Sequence, residues 1–248
     1  MAENNKDTYL SSILNNKEVF QEYYAKSFVK TEQQKFLENL LLPFKKEQHL
    51  KIADVASGGG SLSFHLNAYF SNAEFWCSDY SEIAVDSLKE KLKLPNFHVS
   101  QENIYQLNAY NDNFFDFTFC WMTLSWLDEP EKALEQLIRI TKPGGKIFLS
   151  SLFNLAHDVD LYTKIVDHSS DDSTKIIHAN YSTFSTKTIR TWTTGKVMSI
   201  DFHPFHPDID FQFEGRGIGT YTEKLANGKR LQFSAGLHLN WAILELTK

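Results

Sequence analysis

Asp54-Val55-Ala56-Ser57-Gly58-Gly59-Gly60 carries the end of the strand pattern Lys51–Ala56 into a glycine turn and precedes a helical pattern over Ser61–Tyr69. A glycine-rich turn between a strand and a helix lets a ligand approach the backbone without a Cβ in the way, next to a helix N-terminus with unpaired N–H groups. A glycine cluster alone is weak evidence, because many tight strand-to-helix turns carry one. What surrounds it is more decisive. Strand patterns recur at Glu74–Ser78, Phe97–Ser100, Phe115–Trp121 and Lys146–Leu152, with helical patterns at Ser81–Leu92 and Pro130–Thr141 between them. That alternation predicts an open, mostly parallel sheet with helices on both faces.

The flanks have a different texture. Upstream, Ile13, Leu14, Val19, Phe20 and Tyr24, then Phe36, Leu37, Leu40 and Leu41, recur at three- and four-residue spacing, so residues 6–48 read as helical up to Pro43. Downstream, Asn154–His168 reads as a helix, 169–174 as a polar loop, and Phe184–Trp192 as a helix stopped by Gly195. Val197–Phe202 and Gly236–Thr247 read as two more strands that would close the sheet. The stretch 203–233 between them is longer than a hairpin needs and rich in aromatics, glycine and charge, which points to a functional elaboration.

Composition narrows the function classes. The 248 residues are 42% hydrophobic and 23% charged, which excludes disordered and fibrous chains. Lys plus Arg total 25 against 31 for Asp plus Glu, a net charge of −6 that disfavours a nucleic-acid backbone as partner. Cys77 and Cys120 lie in apolar runs and read as buried thiols of a reduced compartment. The first residues carry no signal-peptide pattern and no apolar stretch is long enough for a membrane span, so a cytoplasmic protein without membrane contact is expected.

Two acids give the turn its chemistry. Asp79 ends the second strand about 20 residues beyond the glycines, where a carboxylate holds the two hydroxyls of a ribose. Asp54 places a second negative charge at the mouth of the turn. That charge would repel a pyrophosphate, and the G-x-G-x-x-G of nicotinamide-binding folds is absent. It suits the ammonium of an amino acid or a water bridging to it. Together the acids fit a ligand that joins a ribose and an adenine to a zwitterionic amino-acid tail, as S-adenosylmethionine does.

On these residues the chain resembles the class I S-adenosylmethionine-dependent methyltransferases of the small-molecule branch. Asp54–Gly60 is similar to their D-x-G-x-G-x-G, with Ala56 where the first glycine is usual. Asp79-Tyr80-Ser81 resembles the ribose-binding acid with Tyr80 flanking the adenine, and 102–107 resembles the third-strand exit, with Asn103 in place of an Asp. The fourth strand at 115–120, the loop 121–127 and the KPGG turn after Arg139 complete the match over residues 50–152. The resemblance implies a Rossmann-like, seven-stranded, mostly parallel α/β sheet. It implies an N-terminal helical cover over residues 1–48, a cofactor core over 49–152, and an acceptor-binding elaboration with closing strands over 153–248. The implied cofactor contacts are Asp54, Ala56, Ser57, Gly58, Gly60, Asp79, Tyr80, Asn103, Ile104 and Trp121, with Tyr24 or Tyr23 of the cover on the methionine carboxylate.

Methyl transfer from a sulfonium needs alignment and dehydration, plus a base when the acceptor is a hydroxyl of high pKa. No metal-ligand spacing stands out, so a metal-free reaction is expected. Base candidates are His203 and His206, braced by Pro204 and Pro207 after a strand, and His157 after the fifth strand; His178 and His238 are further imidazoles. Trp126 is a candidate wall of the acceptor pocket, and Asn240 and Trp241 of the last strand are candidates to line the pocket around Arg216. Arg216, with Thr220 or Tyr221 in the Gly215–Thr222 stretch, is a candidate anion site, ahead of Arg190 and Arg230. The expected acceptor is therefore a small polar or anionic metabolite methylated on oxygen, such as a sugar, a nucleotide-sugar or a phosphate derivative in surface polysaccharide synthesis. A homodimer is compatible with this reading. The alternatives are a protein or peptide methyltransferase and a non-catalytic cofactor-binding module. Nucleic-acid methylation is disfavoured because no N/D-P-P-Y/F/W follows the fourth strand and neither cysteine follows a proline.

Overall fold

The protein, described here by a computed structural model, is defined over residues 29–47, 49–167, 177–206, 221–234 and 237–248. Five parallel strands form the centre: β1 (Lys51–Val55), β2 (Glu74–Asp79), β3 (Phe97–Gln101), β4 (Phe115–Trp121) and β5 (Thr141–Asn154). Two small strands, β6 (Lys164–Asp167) and β7 (Ile177–Asn180), pair only with each other. The two-residue β8 (Phe184–Ser185) adds to the end of β5. Beyond them come β9 (Ser199–Phe205), β10 (Tyr221–Lys224), β11 (Arg230–Ser234) and β12 (Leu237–Thr247). The main sheet runs β3-β2-β1-β4-β5-β12, with β9 on the far side of β12 and the β10–β11 hairpin joined to the start of β12. The order reverses between β1 and β4. At such a switch point the outgoing loops diverge and leave a crevice at the carboxyl ends of the strands.

Helices α1 (Glu32–Leu41), α2 (Ser61–Tyr69) and α3 (Glu82–Lys91) cover one face, and α4 (Pro130–Ile140) and α5 (Thr186–Thr193) the other. The central strands read as continuous apolar runs because both faces are covered. Ile52, Phe119, Phe148 and Ile243 pack under Leu37 and Leu41 of α1, while Ala53, Cys120 and Leu149 pack under Leu134 and Leu137 of α4. The starts of the helices follow from their caps. Thr31 forms a capping box with Gln34 at the start of α1, and Ser81 and Ser185 cap α3 and α5 through their hydroxyls.

Three local expectations change. The helix read over Asn154–His168 is absent: bends follow β5, and 164–167 is the strand β6. The KPGG turn lies inside β5 as a register break against β4, with Gly144 at φ 79°. There the main chain at Gly144 and Gly145 pairs with Lys248. The strand read over 197–202 starts later and runs through His203 and Pro204 to Phe205. Among the described residues, no helix is long and apolar enough to cross a membrane.

Candidate functional site

The turn after β1 is built by alternation. Ala56, Gly58 and Gly60 all adopt left-handed backbone, with φ of 58°, 53° and 78°. This explains the glycine spacing, because an L-residue is strained in that conformation and glycine is not. Ala56 bears the strain. The intervening Ser57 locks the turn: its N–H donates to Ser78 O at 2.9 Å and its hydroxyl to Asp54 O at 2.7 Å, and its carbonyl accepts from Gly60 N–H at 2.9 Å. Gly60 has no room for a side chain, since a Cβ there would lie 2.7 Å from Leu88 Cδ2.

Both acids lie in this turn region. Asp79 accepts from Gly58 N–H on Oδ2 and from Ser81 N–H on Oδ1, each at 2.9 Å, so one carboxylate ties the turn to the end of β2. Burial raises its pKa, against backbone donors that lower it. Asp54 is 1% exposed. Its Oδ2 accepts from Ser63 Oγ of α2 at 2.5 Å, while Oδ1 is buried with no hydrogen-bond partner among the described residues. Burial pushes its pKa up to about 7, with the Asp79 charge adding to the rise and the Ser63 hydroxyl opposing it. An unpaired buried carboxylate oxygen is costly and marks a place where a donor belongs.

The segment after β3, expected to face an adenine, borders the turn region. Asn103 Oδ1 accepts from Tyr105 N–H at 2.9 Å, closing a side-chain turn, and Ile104 is buried beside it. Tyr80 is 60% exposed at the lip, with its carbonyl fixed by Gln101 Nε2 at 2.8 Å. Arg139 of α4 clamps this segment from behind. It donates to the carbonyls of Gln106, Leu107 and Tyr110 at 3.0–3.2 Å and to Asp112 Oδ1 at 2.6 Å.

Half-buried Trp121 ends β4, and Met122 follows in left-handed backbone at φ 57°, its N–H held by Ser150 O at 3.0 Å. A bulky residue at positive φ is a real outlier, of a kind that concentrates at functional sites. The loop continues to Trp126, which packs on Tyr181 with ring centroids 4.7 Å apart, and Ser125 Oγ contacts Ser151 Oγ at 2.7 Å. Beside it opens a cleft of about 200 Å³, lined by Leu127, Asp128, Tyr162, Lys164, Asn180 and Phe184.

The candidate bases separate. His157 lies exposed on the bends after β5, its N–H donating to Asn154 Oδ1 at 3.1 Å. His206 is exposed at the end of β9. His203 lies within β9, and its Nε2 sits 3.2 Å from Glu245 Oε2, whose other oxygen is 2.8 Å from Lys146 Nζ. That ion network on the sheet face occupies the ring, so His203 is not presented at the strand edge as its position before Pro204 suggested. Tyr24, Arg216 and Thr220 lie outside the described residues. Tyr221 begins β10, at the outer end of the sheet and three strands from β5. His178 lies in β7 and His238 in β12.

Two residues of α1 were not singled out in the sequence and are buried near the turn through the contact of α1 with Ser61. Gln33 and Gln34 are buried at its first turn. Gln34 Nε2 donates to Ser61 Oγ, the first residue of α2, at 3.1 Å, while Gln33 Nε2 has no partner among the described residues. The available signal was position: Gln33 falls four and eight residues before Leu37 and Leu41, on the apolar stripe of the helix.

Residues 53–149 match a family model described as a methyltransferase domain. A probable methyltransferase, ltbC, from Aspergillus luteorubrus is 31% identical over 140 residues, 51% of this chain and 49% of that protein. A demethylmenaquinone methyltransferase from Clavibacter sepedonicus is 26% identical over 160 residues, 60% of this chain and 62% of that protein. The chain thus spans about half to three-fifths of the length of these curated relatives. Among solved structures, a Haemonchus contortus phosphoethanolamine N-methyltransferase 2 in complex with S-adenosyl-L-methionine shares the fold. Its TM-score is 0.62 at 12% identity, over 95% of this chain and 57% of that one.

Proposed function

We propose that this chain, whose residues 53–149 match a methyltransferase domain, is a class I S-adenosylmethionine-dependent methyltransferase and moves a methyl group from S-adenosylmethionine to a small acceptor. One observation carries the reading. The left-handed turn at 56, 58 and 60 sets Asp79, held by two backbone N–H groups, beside an Asp54 whose second oxygen is buried and unpaired among the described residues. Bound there, the cofactor supplies a methyl group on a positively charged sulfur, open to in-line displacement.

The chain's own groups fit that ligand. Asp79 keeps lone pairs for two ribose hydroxyls after accepting from Gly58 and Ser81. Asp54 Oδ1 suits an ammonium, whose charge would favour the ionised carboxylate that burial opposes. Asn103 Oδ1 has a second lone pair for an exocyclic amine, with Ile104 as the apolar floor and Tyr80 at the lip. Trp121 and Met122, at the end of β4, are the candidates to shield the reacting carbon from water.

For the acceptor we favour a small, planar, hydroxylated molecule lying along the cleft beside Trp126 and Tyr181. Methylation falls on its oxygen, or on a ring carbon that the oxygen activates, with His157 as the candidate base. The aromatic walls support this, as does the likeness to a protein named for demethylmenaquinone methylation. A sugar, nucleotide-sugar or phosphate acceptor is the rival, resting on Arg216, Thr220 and Tyr221. Calorimetry with S-adenosylhomocysteine tests the cofactor: no binding at millimolar ligand would overturn the enzyme reading. S-adenosylhomocysteine release is then measured with quinols and phenols, sugar nucleotides and basic peptides. Turnover confined to sugar nucleotides or to peptides would overturn the acceptor assignment.

A further inference from the structure

Two buried polar atoms near the glycine turn have no partner among the described residues, and they have opposite senses. Asp54 Oδ1 is an acceptor and Gln33 Nε2 is a donor. Both residues are at least nine-tenths buried, at 1% and 5% exposure.

The packing of α1 places them on one side of the sheet. Gln34 bonds Ser61 at the first turn of α2, and Glu38 O accepts from Tyr69 Oη at its last turn, at 3.2 Å. The two helices therefore run side by side in the same direction, with their N-termini level at the glycine turn. Leu37, one turn below Gln33, packs in the cluster that contains Ile52, two residues before Asp54 on the same face of β1. Gln33 thus heads the sheet-facing stripe of α1 at the cofactor edge, and Asp54 reaches toward α2 through Ser63 at the same level. The neighbouring Gln34 has its amide fully engaged, with Nε2 on Ser61 and Oε1 accepting from Thr31 N–H at 2.9 Å. The capping box does not need Gln33.

We infer that Gln33 donates through Nε2 to the carboxylate of the cofactor's methionyl tail, while Asp54 accepts from its ammonium. The inference rests on the cofactor assignment made above. A zwitterion supplies the acceptor that one buried atom lacks and the donor that the other lacks, so a single ligand satisfies both. A tail bearing only one of these charges would leave one of the two unmet.

The test compares two ligands by calorimetry on the full chain: S-adenosylhomocysteine, and 5′-methylthioadenosine, which has the same nucleoside but no amino-acid tail. Gln33→Leu is expected to weaken S-adenosylhomocysteine about tenfold and to leave 5′-methylthioadenosine within about twofold. Its thermal midpoint should not fall, because an unpaired buried amide gives way to an apolar side chain. Gln33→Glu, which sets a carboxylate against a carboxylate, should weaken S-adenosylhomocysteine more than the leucine does. Equal weakening of both ligands, or none for either, would overturn the assignment of Gln33. A wild-type chain that binds neither ligand would overturn the cofactor reading beneath it, and that failure shows without any substitution.

Discussion

Replacing Ala56 by glycine should make the protein more stable, although a methyl group is lost. Ala56 is held at φ 58°. A left-handed conformation costs an L-residue about 1–2 kcal/mol, and glycine avoids that cost. Against this, glycine carries about 0.5–1 kcal/mol of extra unfolded-state entropy, and the half-buried methyl removes a few tenths more. The balance is about 0.5 kcal/mol in favour of glycine, or roughly 1–2 °C in thermal midpoint for a chain of this size. Gly60→Ala should show the opposite sign. It meets the same backbone cost at φ 78°, and its Cβ would fall 2.7 Å from Leu88 Cδ2 and 3.2 Å from Leu92 Cδ1. With overpacking, the loss is about 2–5 kcal/mol. Scanning calorimetry or urea unfolding of the two variants, with S-adenosylhomocysteine binding as a companion reading, decides the matter. A lower midpoint for Ala56→Gly, or a tolerated Gly60→Ala, would refute the account of the turn.

Asp54 makes the site pH-dependent. Its folded pKa of about 7 lies above the ordinary carboxylate value, so the ligand-free folded state binds the extra proton, and stability falls as pH rises from about 4 to about 7. Asp54→Asn should flatten that slope in unfolding curves. Wild-type affinity for S-adenosylhomocysteine should tighten as pH rises through about 7, with proton release visible in buffers of different ionisation enthalpy; a pH-independent affinity counts against an ammonium at Asp54. Arg139→Leu removes a clamp on three carbonyls and Asp112, which should cost about 2–3 kcal/mol and speed proteolytic nicking between residues 102 and 113. His203→Asn should cost about 1 kcal/mol while leaving S-adenosylhomocysteine affinity unchanged. Glu245 is held below its usual pKa first by His203 and then by Lys146, so its stabilisation is present above the unfolded value and fades as pH falls through the folded one. In the variant that loss should begin at a higher pH in acid unfolding curves.

The central strands could be read in the sequence because a strand covered on both faces becomes an apolar run, and β1, β2 and β4 stand within a residue of where those runs lie. The turn was legible for a different reason. Ala56, Gly58 and Gly60 fall on alternate positions, and the backbone turns left-handed at those same three. What misled was Pro204. A proline reads as the end of a strand, yet among the described residues β9 pairs with β12 alone, and an edge strand accommodates a residue without an N–H. That extension carried His203 into the sheet and onto Glu245. The segment after β5 misled through composition, since 154–168 can be read as a helix while its last residues pair as β6 with β7. Gln33 was hidden because its significance depends on how α1 lies against α2, which a helix periodicity does not specify.

The pairing of β5 with β12 has a kinetic consequence. The registered pairs run from Asn240 opposite Phe153 to Thr247 opposite Lys146, and residues 155–236 lie between the two strands in the chain. Within β1–β5 the pairs β1–β2, β2–β3 and β4–β5 join strands consecutive in the chain and can form early, and β1–β4 spans the two strands between them, whereas this seam must close a longer intervening loop. Until it closes, β5 presents an open edge at the heart of the final sheet. The cofactor half of the molecule should therefore take shape ahead of its flank, and during that interval the nascent chain is most exposed to pairing with another copy of itself.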